Sequence, residues 1–173
     1  NPASKHHRFG WEARDAVERA RKQVAALVGA GSKEIVFTSG ATEANNLAIR
    51  GAVAARRARG NHVVTVATEH HAVLDTCQAL ERDGCQVTVL PVDRDGLVDP
   101  DRFAAALTAT TVLASVMAAN NEIGVLQPLD LLSKACRARG VWLHTDAVQA
   151  VGKVPFDVES SGADLVSLTA HKM

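Results

Sequence analysis

The residues of this sequence best suited to chemistry fall into five short clusters. His144-Thr145-Asp146-Ala147-Val148-Gln149 sets an acid at the end of an apolar run. A carboxylate there is expensive to bury without a cationic partner. No basic residue lies in that run or in the next few positions, so Asp146 invites a cationic ligand. Thr169-Ala170-His171-Lys172 brings an amine beside a hydroxyl and an imidazole. A lysine desolvated among cationic neighbours has a lowered pKa and attacks carbonyls, whereas a solvated surface lysine is the competing reading. Thr38-Ser39-Gly40-Ala41-Thr42 has the small residues that let backbone N–H groups approach an anion at a helix start, with Thr42 adding a hydroxyl. A plain helix N-cap with a glycine turn fits it too. It is not a Walker loop, and Gly29-Ala30-Gly31 lacks the third glycine of a dinucleotide fingerprint. Thr68-Glu69-His70-His71 offers an imidazole to stack on a planar ligand or to move a proton. A metal site with Cys77 as third ligand is the alternative, but the spacing matches no usual zinc motif. Asn120-Asn121-Glu122-Ile123-Gly124 supplies amides for a carboxylate or a ring hydroxyl, or else a plain turn.

Each cluster ends or follows an apolar segment. Residues 11–28 repeat apolar side chains at helical spacing up to Gly29 and predict an amphipathic helix. The pattern then predicts strands over residues 34–38, 62–67, 86–91, 111–117, 141–144 and 163–168. Helices are expected over 43–59, 71–83, 100–107 and 129–139, with Asp99 capping the third of these four. Strands alternating with helices specify an α/β fold, three layers with a mostly parallel sheet, because each parallel return needs a crossover. Ligands gather at the carboxyl ends of such strands, where the five clusters lie.

Composition narrows the function classes. The 173 residues are 47% hydrophobic and 22% charged, enough apolar material for a sizeable core. Nineteen basic and nineteen acidic residues cancel, leaving no footprint for nucleic acid or an anionic membrane. With 3% aromatics and no Tyr, a base-stacking platform is not expected. No run is apolar over the roughly 18 to 20 residues of a membrane span and no secretion signal opens the chain, so a cytoplasmic location is expected. Cys77, Cys85 and Cys136 lack C-x-x-C spacing and read as reduced, structural residues. No metal site is predicted.

A phosphate cradle, a carboxylate aimed at a buried cation, a stacking imidazole and a carbonyl-capturing lysine are together what pyridoxal 5'-phosphate requires. The sequence resembles the cysteine desulfurases of the NifS and IscS kind, in the class V aminotransferase branch of fold type I pyridoxal-phosphate enzymes. The resemblance runs through Asn1-Pro2-Ala3-Ser4, His7-Arg8-Phe9-Gly10, Glu34-Ile35-Val36-Phe37-Thr38-Ser39-Gly40-Ala41-Thr42-Glu43, Thr68-Glu69-His70, Asn120-Asn121-Glu122-Ile123-Gly124, Asp146-Ala147-Val148-Gln149 and His171-Lys172.

That resemblance implies that Lys172 forms a Schiff base with the cofactor and that Asp146 pairs with the pyridinium nitrogen. It implies that His70 stacks on the ring and assists proton transfer, that Gln149 meets the ring hydroxyl, and that Asn121 lies near ring and substrate. Ala41, Thr42, Thr169 and His171 would hold the phosphate, with Ala170 in the same turn. Thr169-Ala170 stands where many relatives have Ser-Gly; a hydroxyl remains. The implied reaction converts L-cysteine to L-alanine and leaves a persulfide, for iron–sulfur cluster or thio-cofactor synthesis. A homodimer and a sulfur-acceptor or scaffold protein are the implied partners. Residues 1–173 would be a partial cofactor-binding large domain, inactive alone. A leading segment, the substrate arginine and a small domain with the catalytic cysteine on a mobile loop would lie outside it. A selenocysteine lyase or another class V lyase or aminotransferase, and a non-catalytic scaffold keeping the fold, are the competing readings.

Overall fold

The computed structural model describes Pro2, Ala3 and residues 7–173, in two compact units: residues 1–37 with 157–159, and residues 38–156 with 160–173. Asn1 and Ser4 of the motif that opens the resemblance, with Lys5 and His6, lie outside the described residues.

The first unit is built on helix α1 (Arg8–Val28), three residues longer at its start than the pattern predicts. Arg8 and Glu12 form an i,i+4 ion pair at 2.8 Å in that added turn. Gly29, at φ 72°, ends the helix in a left-handed turn, and its own N–H and that of Ala30 both return to the Ala25 carbonyl. The strand expected over residues 34–38 does not form. Ser32–Glu34 is a 3-10 turn in which the Glu34 carboxylate accepts from Gly31 N at 2.6 Å, and residues 35–38 are irregular. Arg21 instead holds this stretch, donating to the Ile35 carbonyl and stacking its guanidinium 4.9 Å from the Phe37 ring. Val36 and Phe37 are 68% and 49% exposed. β-branched and aromatic residues favour a pleated backbone, but a strand also needs a neighbouring edge to pair with, which local composition does not report.

The second unit carries five parallel strands: β1 (His62–Val66), β2 (Gln86–Leu90), β3 (Thr111–Ser115), β4 (Trp142–Asp146) and β5 (Leu165–Ser167), in spatial order β2-β1-β3-β4-β5. Helix α2 (Ala41–Ala55) leads into β1, helices α3 (His71–Arg82), α4 (Pro100–Ala106) and α5 (Leu129–Ala138) connect β1 through β4 in turn, and a short turn, α6 (Val158–Ser161), whose first two residues belong to the first unit, precedes β5. Asp99 caps α4 as expected, its carboxylate accepting from Asp101 N at 2.9 Å. Every residue of β1 and β3 is buried, as a parallel sheet covered by helices on both faces requires, whereas edge strand β2 is largely open. Ile49, Ala52 and Val53 of α2 and Val73, Cys77 and Leu80 of α3 pack with Val63 and Leu113 in one core cluster. The three-layer α/β expectation holds, with five sheet strands in place of six.

The strand order has a mechanical consequence. From β1 the chain turns one way, through α3 to β2, and then crosses to the other side of β1 for β3. At that reversal the loops leaving β1 and β3 diverge and open a crevice at the carboxyl edge, the usual seat of a ligand in such sheets.

Candidate active site

Five segments converge on that crevice and enclose a cavity of about 440 Å³. Ser39, Gly40, Ala41, Thr42 and Asn45 line it from the start of α2; His70 comes from the end of β1; Met117 and Asn121 follow β3. Asp146, Val148 and Gln149 line it from β4, and Thr169, His171 and Lys172 from β5. Of the site residues expected from sequence, Ala41, Thr42, His70, Asn121, Asp146, Gln149, Thr169, His171 and Lys172 are brought together here. Ala170 is exposed in the 3-10 turn and does not line the cavity.

Asp146 is 5% exposed. Its Oδ2 accepts from Asn45 Nδ2 at 2.7 Å and its Oδ1 from Val148 N at 3.0 Å. No lysine or arginine pairs with it among the described residues. A buried carboxylate held by two neutral donors, open to a cavity and without a counter-charge, suits a cationic ring nitrogen. The start of α2 suits an anion. N-cap Gly40 has no side chain to satisfy the first-turn N–H groups, and Ser39 N instead donates to the Glu43 carboxylate at 2.6 Å. That contact, from the Ser39 side chain and backbone, lowers the Glu43 pKa below its usual value.

His70 is the N-cap of α3, and its Nδ1 accepts from Ala72 N at 3.1 Å. With Nδ1 an acceptor, the neutral ring carries its proton on Nε2, which fixes both tautomer and ring direction. His71 stands edge-on 6.4 Å away and lies on a second cavity of about 400 Å³, shared with Thr68, Glu69, His70, Asn120 and Asn121. No cluster of three metal-ligating side chains occurs among the described residues. The two asparagines after β3 divide their work. Asn120 Nδ2 donates to the Thr68 carbonyl at 2.9 Å, and its Oδ1 accepts from Glu122 N and Ile123 N, so it builds the turn. Asn121 is left to line the cavity. Thr169 Oγ1 and His171 Nδ1 are 2.9 Å apart, and Gln149 accepts from Lys153 Nζ.

Sequence reasoning missed three residues that shape the site. Asn45 occupies the apolar face of α2, at helical spacing from Ala41, Ile49 and Val53, and a polar residue at such a position was the available signal. Glu69 is buried at 6% exposure, and Met117 N donates to its Oε1. His144, in register with Ser115, bridges three strands: Nδ1 to Ser115 Oγ at 2.8 Å and Nε2 to Ser167 Oγ at 3.0 Å.

A parallel α/β sheet whose carboxyl edge gathers an uncapped helix start, a buried carboxylate with no lysine or arginine partner among the described residues and a lysine forms, at its topological switch point, a cavity whose chemistry suits an anionic carbonyl compound with a cationic ring. The whole chain, residues 1–173, matches the family model for aminotransferase class V, and the chain belongs to that family, whose members depend on pyridoxal phosphate. It is 57% identical over 173 residues to the cysteine desulfurase IscS of Anaeromyxobacter sp. strain Fw109-5 and 54% identical to that of Glaesserella parasuis serovar 5. In both comparisons all of this chain aligns with 43% of the relative's length. Among solved structures it is similar to a NifS-like protein (TM-score 0.95, 37% identity, 99% of this chain and 47% of that one). It is also similar to SspA in complex with cysteine (TM-score 0.94, 37% identity, 99% of this chain and 49% of that one).

Proposed function

We propose that the intact protein is a pyridoxal-phosphate-dependent cysteine desulfurase, taking sulfur from L-cysteine onto an enzyme thiol to give L-alanine and a persulfide. The described residues contribute the cofactor-binding part, and the thiol lies elsewhere in the protein. The observation that carries the reading is Asp146, buried and without an ion pair at the wall of a cavity that Lys172 also lines. Identity of 54% and 57% to relatives named cysteine desulfurase supports the choice of reaction within the family.

Pyridoxal phosphate, when bound, supplies an aldehyde that captures amines and a ring that draws electrons from the substrate carbon. Ala41, Thr42, Thr169 and His171 would hold its phosphate, Asp146 its ring nitrogen, Gln149 its ring hydroxyl and Lys172 its carbonyl carbon. Asn45 and Val148 N fix the Asp146 carboxylate, so that its charge stays directed at one place. His70 has Nδ1 engaged by Ala72 and offers Nε2 for proton exchange and a ring face for stacking. Lys172 Nζ would hold and return a proton at the substrate carbon. Asn121, which lines the same cavity, would grip the substrate carboxylate.

The buried thiols Cys77 and Cys136 are poor carriers, since burial pushes each to a pKa of about 12. A homodimer, a sulfur-acceptor or scaffold protein for iron–sulfur assembly and a cytoplasmic location belong to the same proposal; no helix among the described residues is long and apolar enough to cross a membrane. Borohydride reduction of the cofactor-loaded, full-length protein followed by peptide mass mapping tests it. The adduct is expected on Lys172, with alanine formed in step with thiol-bound sulfur from L-cysteine. An adduct on another lysine, or no alanine, overturns the proposal.

A further inference from the structure

The crevice between the loops leaving β1 and β3 holds a second acid that the reaction scheme does not use. Glu69 follows β1, and its Oε1 accepts from the backbone N–H of Met117, which follows β3. The next residue of that loop, Ala118, donates its N–H to the Asp146 carbonyl at 2.9 Å. Glu69 is therefore the clasp across the topological switch point, one residue removed from the backbone of the residue proposed to meet the ring nitrogen.

Two carboxyl groups thus share one buried region. No lysine or arginine pairs with either among the described residues. Their donors are unequal. Asp146 accepts two hydrogen bonds, one on each oxygen, while Glu69 accepts one and its Oε2 is buried with no partner. An ionised oxygen buried without a donor is far costlier than a buried hydroxyl in the same place. Where two such acids cannot both ionise, the charge settles on the better-solvated one.

We propose that Glu69 is a positioning residue carried as the neutral acid: it ties β3's outgoing loop to β1 and leaves Asp146 as the site's single buried anion. Burial, with the Asp146 charge adding to it and the Met117 hydrogen bond opposing it, raises the Glu69 pKa well above the ordinary carboxylate value. Cys77, facing it from α3, is held as the thiol by its own burial and adds no charge. One negative charge then stands opposite one positive ring. Two would overbind the protonated ring and shift its proton balance, and none would leave the ring nitrogen unprotonated.

This inference rests on the cofactor reading only in what Asp146 meets; the state of Glu69 is readable without cofactor. Infrared difference spectra of the full-length protein, with 13C-labelled glutamate to separate Glu from Asp bands, are expected to show a protonated glutamic acid carbonyl near neutral pH. The band should be present in both apo and loaded forms of the unsubstituted protein and lost in Glu69→Gln. Glu69→Leu, which leaves Met117 N buried without an acceptor, should weaken pyridoxal phosphate binding at least about fivefold. Glu69→Gln keeps a neutral acceptor and should recover most of that loss. A carboxylate band in place of the acid, or Glu69→Gln binding as poorly as Glu69→Leu, overturns the proposal. Failure of the unsubstituted protein to bind the cofactor at all would instead overturn the reading of the site, and the infrared band would still decide Glu69.

Discussion

Asn45 reaches across 101 residues of sequence to place its side-chain amide 2.7 Å from the Asp146 carboxylate, with both residues buried. The amide serves the acid only: Asn45 Oδ1 is buried without a partner. Helix α2 is thereby tied by a polar bond to the end of β4, beside the apolar contacts that Ile49 and Val53 make with the sheet. Asn45→Ala removes a donor to a buried anion, a change of about 1.5–3 kcal/mol. The expected result is a lower urea midpoint in the apo protein and, because Asp146 is no longer fixed, weaker pyridoxal phosphate binding by about tenfold or more. Asn45→Asp should be worse still, since it sets a second carboxylate against the first. Equal stability of Asn45→Ala and the unsubstituted protein would remove Asn45 from the site.

His144 makes stability depend on acid. The ring is fully buried between Ser115 and Ser167, and burial lowers its pKa from 6.5 to about 4. In the unfolded chain the ring takes up a proton as pH falls through 6.5, but the folded protein resists until about 4. The unfolded state binds more protons over that window, so stability falls as pH drops through it, by about 3 kcal/mol in all, and is unaffected above it. His62, lowered by burial as well, adds in the same sense. Glu69 opposes both, because an acid kept neutral by folding loses stability as pH rises above its ordinary range. Unfolding free energies of His144→Gln and the unsubstituted protein should therefore converge toward pH 4 from a difference established above 6.5. Parallel curves would show that His144 is not the group titrating.

How far the sequence announced this arrangement follows from the range over which each feature is determined. The five sheet strands and the helices between them were readable because their patterns are local; Asp146 and Lys172 drew attention because ligands gather at the carboxyl ends of parallel strands, and the fold brings both to one cavity there. The strand expected over residues 34–38 failed because pairing depends on a distant edge, and the Arg21 contacts that replace it come from 14 and 16 residues away in sequence. Asn45 and Glu69 escaped notice for the opposite reason to Asp146. Each looks like an ordinary helix or turn residue until the fold brings Asp146 or Met117 against it.

The cysteines provide a reactivity test. Cys77 and Cys136 are 2% and 1% exposed, and their burial raises both pKa values to about 12, so essentially no thiolate exists near neutral pH. In the native protein neither should react with an aromatic disulfide over the time that an exposed thiol takes, and both should react fully in denaturant. The double variant Cys77→Ala, Cys136→Ala should keep sulfur transfer while unfolding more easily. Loss of persulfide formation with cofactor binding intact would contradict the structural role assigned to these thiols.

At the opposite edge of the sheet, Gly60 separates stability from function. A Cβ placed there would stand 2.2 Å from the Thr110 carbonyl oxygen and 2.7 Å from its carbonyl carbon and Cα, all backbone atoms that no rotamer can move. The contact lies where His62 N donates to that same carbonyl at 3.1 Å and where the β1–β3 register shifts between His62 and Val63. The close approach of the two chains at this irregular step is what requires a residue without a side chain. Gly60→Ala must push β1 and β3 apart at their amino ends, an overpacking of about 1–3 kcal/mol. Because the crevice opens at the carboxyl ends of the same strands, the substitution should lower the urea midpoint and leave pyridoxal phosphate affinity within about twofold, given that sites with no shared partners add independently. An affinity loss as large as the stability loss would show that strain entered at one edge of β1 is transmitted along its full length to Glu69.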